Sequence, residues 1–282
     1  MTESGRYGIS RQAVSSTAID RAVEQTRLLG YAIVDGGYTR AAIDAFGEAF
    51  DRARDAQDAR HGGRAALEAI DEHHTIRLPM LYERLLLDLA THDGVLEIAR
   101  RLMGPYVVLN QQNGVINPRA PATRAGVPAA TTYSQARVHR DLPYQHFVSS
   151  RPLGVTALFC LDDFTAENGA TWIVPGSHKE EAFPSDAVVD ATKLQAVAPA
   201  GHFIVMDAMT FHSGGVNHTD RDRRGVNHVL TIPLIKQQIA LPTALGDSFA
   251  TDPALRRLLG YEVMVPPDVA AYYATRRQRS RS

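Results

Sequence analysis

Two short runs carry the residue types from which a metal centre is most simply built: His139-Arg140-Asp141, and His212, which lies 71 residues after Asp141 in Asp207-Ala208-Met209-Thr210-Phe211-His212-Ser213-Gly214-Gly215. Side chains two apart on a β-strand share a face, so His139 and Asp141 turn toward one point while Arg140 turns away. His212 follows the apolar, strand-like run Phe203-Ile204-Val205-Met206 and supplies a third ligand. Two imidazoles and one carboxylate make a facial set that leaves positions open on an octahedral ion, the arrangement of non-haem Fe(II) oxygenases. The same ligands with an open position suit a zinc-bound water, so a zinc-type hydrolase is the rival chemistry. A barrel that binds a small molecule without turnover is the rival outside catalysis.

The His-x-acid pair is weak on its own, because 11 histidines and 31 acidic residues in 282 produce such pairs by chance. His178-Lys179-Glu180 follows Val174-Pro175-Gly176-Ser177 and reads as a residue packing or capping a turn. His218-Thr219-Asp220 lies in a polar run from Asn217 to Arg224 and reads as solvated loop. His146, five residues beyond Asp141, is a competing ligand whose spacing does not fit the strand pair. Gly169, Pro175 and Gly176 are turn residues.

Three segments carry a resemblance: His139-Arg140-Asp141; Glu167-Asn168-Gly169-Ala170-Thr171-Trp172-Ile173-Val174-Pro175-Gly176-Ser177-His178-Lys179; and His212 through Arg224. In order and spacing they resemble the phytanoyl-CoA dioxygenase family of Fe(II)/2-oxoglutarate oxygenases, closely over 135–235 and loosely from residue 20 onward. The resemblance implies a double-stranded β-helix, with Fe(II) held by His139, Asp141 and His212, 2-oxoglutarate as co-substrate, and O2. It implies that Arg223, eleven positions after His212, pairs with the distal carboxylate of 2-oxoglutarate, where a guanidinium fork matches a carboxylate bidentately. Arg224, one position on, points the opposite way if this is strand and reads as surface charge. Thr171 lies where related enzymes place a hydroxyl near the co-substrate, and Gln111 and Asn113 are amides that can face the barrel mouth. Tyr144, His146 and Phe211 flank the ligands as substrate-wall candidates, and Trp172, alternating with Thr171, is core or pocket wall. The implied reaction oxidises an unactivated C–H of a small, secondary-metabolite-like molecule by hydroxylation, desaturation or ring closure, with release of succinate and CO2. Halogenation is not expected, because Asp141 fills the position that chloride would need.

The rest of the chain must position these groups. With 44% hydrophobic and 22% charged residues, 282 residues can bury a full core, and one domain spanning 1–282 is expected. A net charge of -1 gives no general attraction to nucleic acid or an anionic membrane. The one basic run, Arg276-Arg277-Gln278-Arg279-Ser280-Arg281-Ser282, reads as a frayed tail within 270–282. Cys160, the single cysteine, sits in Val155-Thr156-Ala157-Leu158-Phe159-Cys160-Leu161 and reads as a core thiol. The chain contains no secretory h-region or 18-residue apolar span, which predicts a soluble, cytoplasmic protein.

Residues 1–14 read as a mobile arm. A helix capped by Ser16 or Thr17 and ended by Gly30 precedes a strand, Tyr31–Asp35, and Thr39 caps a second helix with Ile43, Phe46, Ala49 and Phe50 on its apolar face. Helices are predicted over 80–90 and over 93–103, the latter capped by Asp93 and closed by Gly104. Strands follow at 106–117, 136–141, 153–161, 170–174, 202–207 and 226–235, with 118–135 a long, lid-like connection and 136–235 the catalytic core. Thr251-Asp252-Pro253 starts a last helix ending at Gly260. The expected fold is mainly β with N-terminal helices, a cupin-like jelly roll flanked by helices on one face.

Overall fold

The computed structural model describes residues 12–120, 137–142 and 147–279. Among these the strands are β1 (Tyr31–Asp35), β2 (Thr75–Arg77), β3 (Val108–Asn117), β4 (Gly154–Cys160), β5 (Thr171–Ile173), β6 (Leu194–Ala196), β7 (His202–Asp207), β8 (His212–Ser213) and β9 (Arg223–Thr231). They form two antiparallel sheets, one ordered β1-β7-β4-β9-β3-β2 and one ordered β6-β5-β8.

Strand β4 explains the layering. It lies between β7 and β9, and all seven of its residues are buried, which is why its sequence, Thr156 apart, is an apolar run and not an alternation. Val155, Ala157 and Phe159 face one side, packing with Phe203, Val205, Val226 and Leu230 and with residues of the flanking helices. Leu158 and Cys160 face the other, packing with Ile204 and Met206 and with Ile173 and Ala196 of the smaller sheet. The large sheet is thus covered by helices on one face and by the small sheet on the other. Cys160 is a core thiol, and burial pushes its pKa up.

Helix α1 (Ala18–Leu29) starts with a reciprocal cap between Thr17 and Asp20 and stops at Gly30, whose φ of 85° needs a residue without Cβ. Helix α2 (Arg40–Arg60) buries Ile43, Phe46, Ala49, Phe50 and Ala53. Its Gln57 is buried too: Nε2 donates to Thr75 O at 2.8 Å and Oε1 accepts from Arg77 N at 2.7 Å. One side-chain amide thereby satisfies the outer edge of β2, which no further strand among the described residues pairs.

Several sequence-based boundaries are corrected. The region 80–90 is not one helix; the turns Pro79–Leu81 and Arg84–Leu86 precede a short helix, Leu87–Ala90. The helical path is interrupted at Glu83, which is extended, and buried Gln112 bonds the backbone on both sides of it, with Oε1 accepting from Met80 N and Nε2 donating to Leu86 O. The helix Asp93–Met103 is capped by His92, whose Nδ1 accepts from Val95 N, and not by Asp93. Strand β9 begins at Arg223, three residues earlier than expected, and ends at Thr231. The tail is not frayed throughout, since Val269–Arg279 is helical. Most of the predicted lid, and most of the N-terminal arm, lie outside the described residues. No helix among those described is long and apolar enough to cross a membrane.

His228 gives the fold a measurable pH dependence. It is fully buried: Nδ1–H donates to Ala157 O at 3.0 Å, Nε2 lies 3.1 Å from Gln112 Nε2, and burial, with the nearby charge of His92 adding to it, lowers its pKa to about 4. Below pH ~6.5 the unfolded chain protonates this group while the native chain does not, so stability falls as the pH drops toward 4. The wild type should lose about 2 kcal/mol more than His228→Gln between pH 7.5 and 5, measured by urea unfolding. Equal losses in the two proteins would remove His228 from the account.

Candidate metal centre and its cleft

The two histidines are paired through the backbone. His139 and His212 form an antiparallel bridge, with His139 N donating to His212 O at 2.9 Å and His212 N to His139 O at 3.1 Å. Their ring centroids are 4.4 Å apart. Asp141 does not continue a strand; its N–H bonds Ala208 O at 3.0 Å, which curls the segment so that the carboxylate meets both rings. Asp141 Oδ1 lies 3.6 Å from His212 Nε2 and 3.9 Å from His139 Nε2, and the donor atoms of all three residues fall within 4.8 Å of one another.

Each imidazole is fixed in one tautomer. His139 Nδ1 faces Arg137 O at 2.7 Å and His212 Nδ1 faces Thr210 O at 3.0 Å. A carbonyl only accepts, so both Nδ1 atoms carry hydrogen and both Nε2 lone pairs point at the shared centre. Burial lowers the pKa of His212, against the opposing charge of Asp141, and so favours the neutral, ligating form. Thr156 Oγ1 donates to Asp141 Oδ2 and orients the carboxylate. Two neutral imidazoles and an oriented carboxylate fit a divalent transition metal with open positions.

The triad lines a cleft of about 270 Å³ between the two sheets. His139, with 37% of its side chain exposed, is nearer solvent than Asp141 and His212, at 9% and 10%. Arg223, Thr171, Gln111 and Asn113 all line this cleft. Arg223 is buried, its guanidinium 3.8 Å from the centre of the Phe164 ring, with Val115, Leu158 and Met206 in the same lining. Arg224 faces the other way, held to Asp162 at 2.8 Å and Asp51 at 2.9 Å, and ties β9 to α2.

The aromatic neighbours fare differently. Phe211 is not a cleft wall: it is fully buried beneath the Arg140 guanidinium, 4.3 Å away, and edge-on to Phe183. Arg140 anchors that cluster by donating to the carbonyls of Ser177, Glu180 and Glu181. Trp172 is neither core nor cleft wall but a half-buried ring with Lys193 Nζ 5.3 Å from its centre. Tyr144 and His146 lie outside the described residues. His178 packs α1, its Nε2 3.1 Å from Arg27 O, and His218 is exposed. Several cleft residues were not anticipated as site residues from the sequence, among them Thr156, a hydroxyl within an apolar strand, Asn227, four after Arg223 and so on its face of β9, and Glu72, Arg77 and Gln238. The first two had period-2 signals.

The loop that carries His212 is clamped. Asn117 Nδ2 donates to Asn168 O, Gly169 O and Gly215 O, while Asn217 Nδ2 donates to Asn117 O and Arg221 O. Gly169, at φ 75°, lets the two turns touch; a Cβ there would meet Gly215 O at 2.3 Å. Gly169→Ala should cost about 3 kcal/mol and lower Tm by roughly 5 to 10 °C in a thermal melt. An unchanged melting temperature would contradict this contact.

Residues 26–225 match the phytanoyl-CoA dioxygenase family. An uncharacterized protein of Mycobacterium tuberculosis is 29% identical over 262 residues, covering 92% of this chain and 93% of that protein. An iron/alpha-ketoglutarate-dependent dioxygenase of Aspergillus calidoustus is 29% identical over 156 residues, 52% of this chain and 51% of that one. Among solved structures, the non-haem monooxygenase ThoJ with nickel aligns at a TM-score of 0.57 and 20% identity, over 77% of this chain and 80% of that one. The epimerase SnoN, in complex with Fe3+, alpha-ketoglutarate and nogalamycin RO, aligns at 0.55 and 22%, over 84% and 93%. The fold is shared with these enzymes, and the family match over most of its length shows that the chain belongs to the phytanoyl-CoA dioxygenase family.

Proposed function

We propose that this dioxygenase uses Fe(II), 2-oxoglutarate and O2 to oxidise an unactivated C–H of a small organic molecule. The observation that carries the reading is the placement of a His-Asp-His set and a buried arginine in one cleft between facing sheets, which we read as the two layers of a double-stranded β-helix. His139, Asp141 and His212 hold the metal through Nε2, Oδ1 and Nε2. Arg223 would pair with the far carboxylate of 2-oxoglutarate, and the aliphatic side chains of Leu158, Met206 and Val115 in the same lining would help to exclude water from the cleft. Thr171 and the amides of Gln111 and Asn113 offer hydrogen bonds to the remaining oxygens. When bound, the iron and co-substrate supply the oxidant, with release of succinate and CO2. The protein holds ligands, co-substrate and substrate in fixed relation; hydroxylation is the default outcome, and desaturation or ring closure follows if the reacting carbon is held farther away.

A mass-spectrometric screen for substrate-stimulated succinate release, with Fe(II), ascorbate and 2-oxoglutarate, tests the proposal. Succinate that rises with a substrate and requires O2 supports it; turnover with zinc and without 2-oxoglutarate overturns it.

A further inference from the structure

Besides Arg223 and its aliphatic neighbours, the cleft lining holds a polar group, Glu72, Arg77, Gln238 and Asn227. In register Arg77 lies opposite Asn113 and Asn113 opposite Asn227, four positions along β9 from Arg223. Arg77 pairs bidentately with Glu72, through Nε at 2.8 Å and Nη2 at 2.6 Å, and its Nη1 reaches across to Gln238 Oε1 at 3.4 Å. Both members of that bridge are positioned from behind by a buried amide that bonds two backbone groups. Gln57 holds Thr75 O and Arg77 N. Asn110, the extra residue at the irregularity between Leu109 and Gln111, donates to Lys236 O and accepts from Gln238 N. The segment carrying Glu72 and Arg77 is also bracketed by the only non-glycine residues with positive φ among those described, Asp71 at 56° and Leu78 at 54°. A left-handed conformation is unfavourable for a side chain as bulky as leucine, and such backbone persists where the surroundings impose it. Conformational cost, two dedicated clamps and a charge pair converge on one rim of the cleft.

We infer that Arg77, Gln238 and Asn227 form the substrate-recognition arm, and that it takes an uncharged, hydroxyl-rich part of the substrate. The inference rests on the oxygenase reading above and adds the substrate class. Arg77 is already neutralised by Glu72, so a carboxylate there gains no unpaired cation and meets the further negative charge of Asp71. Asn227 Oδ1 is a buried acceptor with no hydrogen-bond partner among the described residues, so it calls for a donor that an alkyl chain lacks. A hydroxyl meets both demands: it accepts from Arg77 Nη1 and donates to an amide oxygen.

The test uses the protein loaded with Fe(II) and 2-oxoglutarate under argon, with methyl β-glucopyranoside, octanoate and octylamine as probes and ligand-observed NMR titration as the readout. The glucoside should bind saturably and better than the other two. Arg77→Ala and Gln238→Ala should each weaken it about 10-fold, the loss of one hydrogen bond to a charged or rim group. Gln238 is exposed, so its variant keeps the test valid if Arg77→Ala loosens the fold. Preference for octanoate or octylamine, no glucoside binding, or glucoside binding unchanged in Gln238→Ala would overturn the inference. Calorimetric titration of 2-oxoglutarate into wild-type protein loaded with Fe(II) alone, under argon, separates the two levels. Co-substrate binding without glucoside binding fails this inference alone, whereas absent co-substrate binding fails the oxygenase reading beneath it.

Discussion

Alanine at His139, Asp141 or His212 should each abolish stoichiometric iron binding and lower turnover by more than about 100-fold, beyond the range expected for an outer hydrogen-bond partner. Thr156→Val provides that comparison. It removes the hydroxyl that bonds Asp141 Oδ2 but leaves the three donor atoms, so a loss of roughly 10- to 100-fold is expected. His178→Ala and His218→Ala should retain a full complement of iron, because His178 is spent on Arg27 O and His218 is at the surface. Metal content by emission spectroscopy, read beside single-turnover succinate yield, separates binding from chemistry. A normal iron content in any of the three ligand variants would sink the assignment.

Arg223→Ala should raise the apparent constant for 2-oxoglutarate roughly 30- to 1000-fold, the consequence of losing a bidentate, charge-assisted pair worth about 2–4 kcal/mol. The adjacent substitution is the control. Arg224 is bound to Asp162 and Asp51 on the other face of β9, so Arg224→Ala should leave the co-substrate constant nearly unchanged and lower thermal stability by about 1–2 kcal/mol. Titrating 2-oxoglutarate into each variant, with a thermal melt alongside, decides the matter. If Arg224→Ala carried the binding defect, the proposed role of the strand's cleft-facing side would be wrong.

What could be read from the sequence was whatever depended on local pattern. The largely apolar run of β4, the hydroxyl cap at Thr17, the φ that stops α1 at Gly30 and the opposite directions of neighbouring Arg223 and Arg224 are all set within a few residues. The grouping of His139 and Asp141 was legible for the same reason, although the means differ: a bond from Asp141 N to Ala208 O, and not a continued strand, turns the carboxylate inward. Features set by distant partners were not legible. Phe211 adjoins His212 in sequence, yet its direction is decided by Arg140 and Phe183. Strand β2 is three residues long and stands on a glutamine eighteen residues upstream, so no pattern within it announces an edge or places Arg77 in the cleft. The helix expected over 80–90 is broken at Glu83, and the buried Gln112 that bonds the backbone on both sides of the break lies 26 to 32 residues away.

The reciprocal backbone bonds between His139 and His212 make the site a socket and not a staple. Because the chain itself spaces the rings, and carbonyls hold each Nε2 bare, little folding energy is tied to the ion. A chelator should therefore empty the site without melting the protein, and refilling should need no refolding. The same indifference has a cost in selectivity. A pre-spaced pair of imidazoles and a carboxylate follows the general affinity order of divalent metals, in which cobalt, nickel and copper all bind more tightly than iron. Which ion the protein carries is then decided by supply in its surroundings, and a preparation rich in the wrong one would be intact, well folded and silent.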